Sequence, residues 1–168
     1  MFNDLIDLMG VQSRNIEYYE KYPLVLIFFI MLLLQIPSFI LLPGDEHSIS
    51  SNLTTDLILA FGVTFIEAIF FVYWFRRIGK NYSFSAFLHY DVMLSIAATI
   101  PYILILFVIK YFDSIPWVGV FGGLGAISYV IYMFTLNLAK ATESSGRYAF
   151  IAIILVIVIQ AIVDYFPL

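Results

Sequence analysis

Cysteine is absent from this 168-residue chain, which removes disulfide frameworks, thiolate metal sites, thiol nucleophiles and palmitoylation together. Charge is scarce as well: Asp, Glu, Lys and Arg make up 12% of the sequence, where a soluble domain carries roughly 25%. Basic residues are the scarcer sign, 8 against 12 acidic, so the net charge is −4 and the pI about 4.9. No basic stripe exists for a nucleic acid, and a polybasic reader of lipid headgroups is disfavoured on the same ground. With two histidines and no HExxH, zinc chemistry has little to draw on. Nucleophile elbow, P-loop, dinucleotide fingerprint and intramembrane-protease signatures are missing too, so no enzyme and no cofactor is expected.

What the chain does contain is apolar mass. Hydrophobic residues form 62% of it, 17 Phe and 12 Tyr among them, and the mean hydropathy is +0.98. A domain this small cannot hide so much apolar surface inside itself, so the composition predicts an integral membrane protein with lipid as its main solvent. Five runs, 22–42, 57–75, 92–109, 117–137 and 148–166, are each about 18–21 residues long, enough to cross a hydrocarbon core of roughly 30 Å. The expected fold is therefore all-α: a polytopic transmembrane helical bundle of five spans over 22–168, preceded by a short N-terminal segment, 1–21. The first run is too long for a signal-peptide core and follows acidic Glu17 and Glu20.

Lys and Arg set the orientation. With the N-terminus cytoplasmic, Arg14, Lys21, Arg76, Arg77, Lys80, Lys140 and Arg147 fall inside and Lys110 alone outside, which puts the C-terminus on the extracytoplasmic side. The sequons at Asn52 and Asn81 read as chance, one too near its helix and the other in the wrong compartment. Within 1–21, Phe2, Leu5, Ile6 and Met9 repeat at helical spacing with Asp4 and Asp7 on the opposite face. An acidic polar face points to packing along the membrane surface or against the bundle and away from anionic lipid.

Glu67 lies near the middle of the second span, about 12 Å above its inner end, where a charged carboxylate facing acyl chains costs several kcal/mol. It must face the bundle interior, carry a proton, or both. His89 and Asp91, roughly 7–10 Å along the next helix from the same side, come to a similar depth. Glu67, His89 and Asp91 are thus the candidate buried polar cluster. Three readings stay open for it: a polar clasp that locks helix packing, a proton or cation pathway, and a metal-dependent site. Pro37 and Pro101 are expected to kink the first and third spans. Gly119, Gly122, Gly123 and Gly125 give the fourth span a small-sided face for close helix packing, and that span is expected to be the central one. The second and fourth spans also leave similar basic turns, through Ser85-Ala86-Phe87 and Tyr148-Ala149-Phe150, a likeness that shared topology accounts for.

Three stretches resemble the Yip family of Ypt/Rab-interacting membrane proteins in its compact, prokaryotic-type form: Ile16 to Pro23 ahead of the first helix, Gly79 to Leu88 with Pro101 beyond it, and Ser144 to Ala149. The resemblance implies a five-span domain with the N-terminus inside, in a prokaryotic cell membrane. It also implies a non-enzymatic scaffold or adaptor in membrane organisation, trafficking or lipid homeostasis. The long N-terminal region with which eukaryotic members meet small GTPases is missing. Partners expected on this reading are the bilayer, other membrane proteins and a second copy of the chain. The rival reading is a small transporter or channel for protons, cations or a small solute past Glu67, His89 and Asp91.

Overall fold

The computed structural model describes residues 1–41, 49–112 and 116–165, with side chains for 1–34, 61–112 and 117–162. Among these residues the chain is all helix. Short α1 (Phe2–Met9) leads into a 3-10 turn (Ile16–Lys21), and five longer helices follow: α2 (Leu24–Leu41), α3 (Ile49–Arg76), α4 (Phe84–Tyr111), α5 (Pro116–Ala141) and α6 (Gly146–Tyr165). Two of them, Phe84–Tyr111 and Trp117–Ala141, are long and apolar enough to cross a membrane. The helices outrun the apolar runs that announce them, because polar residues such as Ser85, His89 and Asp91 continue the helical backbone of α4 past the end of its apolar stretch. His47 lies outside the described residues, as do the side chains of Pro37 and Asn52.

The central helix is α4 and not the glycine-bearing α5. It packs against α1, the 3-10 turn, α2, α3 and α5, while α6 is held by α5 and α3. From Ala86 to Ala98 every residue of α4 except Ser95 is buried, His89 and Asp91 among them. α5 is displaced from the centre because glycines bring little apolar area to bury. Gly122 approaches Ile109 of α4 closely, but a Cβ placed at Gly123 or Gly125 would meet nothing within 4 Å. Pro101 is accommodated inside α4. Two residues before it, the Thr99 hydroxyl donates to the Ser95 carbonyl at 2.8 Å, a local bond of the kind that accompanies helix distortion.

The outside of the bundle is apolar. Leu104 and Phe107 on α4, Phe121 and Leu124 on α5, and Ile151 and Val158 on α6 all point outward. The largest side chains inside gather towards one end, where Phe71 and Phe75 of α3 stack on Phe87 of α4, and Tyr148 of α6 closes edge-on against Phe75.

Two tight turns define that end. α3 stops at Gly79, whose φ of 79° lies in the left-handed region where a Cβ is penalised, and Lys80 N–H returns to the Phe75 carbonyl at 3.2 Å. α5 stops the same way with Glu143 at φ 50° and Ser144 N–H on the Ala139 carbonyl at 2.9 Å. A Ser then caps each following helix, Ser83 Oγ accepting from Ala86 N–H at 2.9 Å and Ser145 Oγ from Tyr148 N–H at 3.3 Å. The Glu143 carboxylate meets Lys80 Nζ at 3.0 Å across the two turns. Ser83 also donates to Glu20 at 3.1 Å, bringing the N-terminal segment to the same end.

That segment is part of the core. Ile16 and Tyr19 are fully buried, the latter with its ring 5.3 Å from that of Tyr90. In α1 the buried face is Asp4, Leu5 and Leu8, while Phe2 and Ile6 are exposed, so the helix is rotated from the expected Phe2/Leu5/Ile6/Met9 stripe. The rotation is stabilised by partners for Asp4 that lie beyond the reach of any local pattern. Tyr18 and Tyr22 hydroxyls both donate to it, and Lys21 Nζ lies 2.9 Å away and 3.6 Å above the Tyr18 ring. Desolvation raises the Asp4 pKa, but the Tyr22 and Lys21 bonds outweigh it and hold the carboxyl below its ordinary value.

Candidate functional site

Where α3, α4, α5 and α6 meet, a cavity of about 150 Å³ is lined by Glu67, Asp91, Ser95 and Gln160 on its polar side. Phe71, Phe134, Ile153 and Val156 line the rest. Glu67 is placed inward because its flanks on α3, Phe65, Ile66 and Ile69, face outward and turn the 64/67/68/71 face to the bundle, where Thr64, Ala68 and Phe71 are buried with it. Asp91 lies on the fully buried stretch of α4, and Ser95 follows one turn later on the same face. Gln160 reaches the site from α6, and its Nε2 donates to Glu67 Oε1.

The Glu67 and Asp91 carboxyl groups are within hydrogen-bonding reach of one another. Two carboxylates cannot hydrogen-bond without a proton between them, and two bare negative charges at contact in an apolar interior repel strongly. The pair therefore holds at least one proton between its two carboxyl groups. Asp91 Oδ2 is itself buried, out of contact with solvent.

His89 does not join this site. It lies two residues before Asp91, about 200° around the helix, and its Nδ1 is 2.8 Å from the Ser85 carbonyl of its own helix. The imidazole thus serves the first turn of α4. Gln160 is the member that sequence reasoning missed, although a lone amide in the apolar run 148–166 was a visible signal. Among the described residues no three His, Asp or Glu side chains come together as a metal site would require. Pro101 and the glycines of α5 stand away from the cavity.

A second polar constellation sews the N-terminal segment to α5. Asn137, fully buried, donates from Nδ2 to the Leu8 carbonyl at 2.7 Å and to the Met133 carbonyl at 3.0 Å. Tyr129 OH donates to the Met9 carbonyl at 3.1 Å, Ser13 Oγ to the Asn137 carbonyl at 3.1 Å, and Lys140 Nζ to the Val11 carbonyl. Three of these bonds reach the carbonyls of Leu8, Met9 and Val11 where α1 ends. They are structural, and nothing among them frames a cavity.

No family model, curated protein or solved structure matches this chain.

Proposed function

We propose that the chain is a five-span integral membrane protein, N-terminus inside, that binds and passes a proton or small cation at the Glu67/Asp91/Gln160 site. The observation that carries this is the pairing of two carboxyl groups from different helices around a cavity inside a bundle whose outer surface is apolar. Buried ionisable groups at membrane depth are costly and lie where a pathway or relay uses them. The turns bearing Lys80 and Lys140, together with Lys21 before α2, are gathered at one end of the bundle, in keeping with the excess of basic residues expected on the cytoplasmic side. The test is proton or cation flux into liposomes carrying the full chain. Glu67→Gln is expected to retain helical circular dichroism and a monodisperse elution profile while flux falls to the level of empty liposomes. Undiminished flux in the folded variant would remove Glu67 from the pathway.

A non-enzymatic scaffold of the Yip type is the second reading, favoured by one separate observation: the open side of α5 at Gly123 and Gly125, where among the described residues no atom of another helix approaches within 4 Å of an added Cβ. Close helix association in lipid uses such surfaces. On this reading Gly123→Leu disrupts self-association measured by cross-linking in membranes, and Glu67→Gln leaves it unchanged.

A further inference from the structure

A cleft of about 550 Å³ opens on the N-terminal segment, between α1 and the stretch from Arg14 to Tyr22. A strained turn builds it. Val11 sits at φ 57°, in the left-handed region that a β-branched residue rarely enters, and turns the chain back on α1. Gln12 N–H on the Asp7 carbonyl at 2.7 Å and Val11 N–H on the Leu8 carbonyl at 3.1 Å fasten that turn. Arg14 is thereby returned to Asp7, seven residues earlier, and its guanidinium rests on the Tyr18 ring at 4.7 Å. Two acid–base pairs now face the cleft, and they are unequally satisfied. Asp4, on the floor, is buried against Lys21 Nζ at 2.9 Å and takes both the Tyr18 and Tyr22 hydroxyls. At the rim, Arg14 Nη2 stands 4.0 Å from Asp7 Oδ2, longer than a hydrogen bond, with the two side chains 56% and 34% exposed. A guanidinium and a carboxylate thus lie side by side, both within a ligand's reach. Apolar side chains flank them. Ile6 in the cleft and Phe2 one turn before it point outward from α1, as do Val25 and Phe29 of α2 just beyond Tyr22.

We propose that this cleft binds the phosphoethanolamine headgroup of a membrane lipid, its phosphate on Arg14 and its ammonium on Asp7, with the acyl chains along Ile6, Val25 and Phe29. The inference rests on the membrane-integral part of the reading above and is independent of its transport step. Depth follows from sequence order. Tyr22 leads straight into α2, the first proposed span, so the cleft lies where that helix enters the bilayer, at the level of the headgroups. Charge selects the headgroup. A phosphate takes the guanidinium by charge-assisted hydrogen bonds, and a primary ammonium offers Asp7 both a positive charge and N–H donors. Phosphatidylcholine supplies the charge without a donor, and the Tyr18 face that could hold a quaternary ammonium is already taken by Arg14 and Lys21. Phosphatidylglycerol brings a net negative charge and nothing to neutralise Asp7. The apolar flanks select a lipid over the free headgroup, since covering them removes apolar area from water.

The test is native mass spectrometry of the full chain in dodecyl maltoside with an equimolar mixture of dioleoyl phosphatidylethanolamine, phosphatidylcholine and phosphatidylglycerol. Phosphatidylethanolamine should be retained about fivefold over either rival, the effect of one solvent-exposed charge contact. Arg14→Gln should lower retention of all three lipids, because each carries a phosphate. Asp7→Asn should erase the advantage over phosphatidylcholine and raise phosphatidylglycerol, an exchange of preference that a merely structural role for Asp7 does not produce. Equal retention of the three lipids by the folded wild-type chain overturns the proposal, and so does a preference unchanged in both variants. Soluble O-phosphoethanolamine, added at the same concentration as the lipids, should displace nothing. Displacement by it as complete as by excess phosphatidylethanolamine overturns the assignment to a lipid. A chain released from membranes by alkaline carbonate defeats the membrane reading and this proposal with it. One that resists release yet shows no headgroup preference defeats the proposal alone.

Discussion

Replacing Asn137 should undock the N-terminal segment before it harms the bundle, and the size of the effect follows from the contacts. The side chain donates two hydrogen bonds, to Leu8 and Met133 carbonyls, each worth about 1 kcal/mol net. Neither carbonyl is stranded by the loss. Leu8 O also accepts from Val11 N–H, and Met133 O lies within the regular ladder of α5. On the other side, Asn137 Oδ1 is already buried without a partner, so removing it returns about 1 kcal/mol. Asn137→Leu, close to the same volume, should therefore loosen the segment by only about 1 kcal/mol. Asn137→Ala also leaves a void at a fully buried position and should cost about 2–3 kcal/mol. Amide hydrogen exchange reads this directly. Protection at Leu5, Gly10 and Val11 should fall about fivefold in the Leu variant and at least thirtyfold in the Ala variant, while α4 amides from Ala86 to Ala98 stay protected. Equal losses in the two variants, or losses spread evenly into α4, would refute the reasoning, since the first contradicts the accounting for Oδ1 and the second the local character of the attachment.

The docking of α1 should depend on pH through Asp4. Its pKa is held below the ordinary carboxylate value, so the stabilisation is present above about pH 4 and is lost as pH falls towards the native-state value. Exchange at Leu5 should rise in that acid range in the wild type, and the acid-dependent part should vanish in Asp4→Asn. Gly79→Ala places a Cβ on a left-handed residue with open space around it, so conformational strain alone sets the cost. It should lower stability in detergent denaturation by about 1 kcal/mol, a loss that Gly79→Asn should largely avoid.

How much of the site could be read in the sequence is shown by four residues. Glu67 stood out because a charge inside an apolar run is expensive wherever it ends up. His89 and Asp91 stood beside it on depth alone, and depth is only half of a helical address. The other half is rotation about the axis, about 100° per residue, which turns His89 towards Ser85 while Asp91 meets Glu67. Gln160 lay 93 positions from its partner, and nothing local pairs it with Glu67.

The same distinction separates what the sequence determined by itself from what only the tertiary structure decided. Helix, apolar exterior and tight polar turns were legible, because hydropathy, propensity and capping are sums over neighbouring residues and survive any rearrangement of distant ones. The basic turns after the second and fourth spans belong to that class. The choice of α4 over α5 as central helix, the inward turn of Asp4 and the meeting of α3, α4 and α6 at one cavity belong to the other. Each depends on which face of a helix finds a partner of matching size and charge. That is a property of pairs far apart in the chain, and it exists only once the chain has packed.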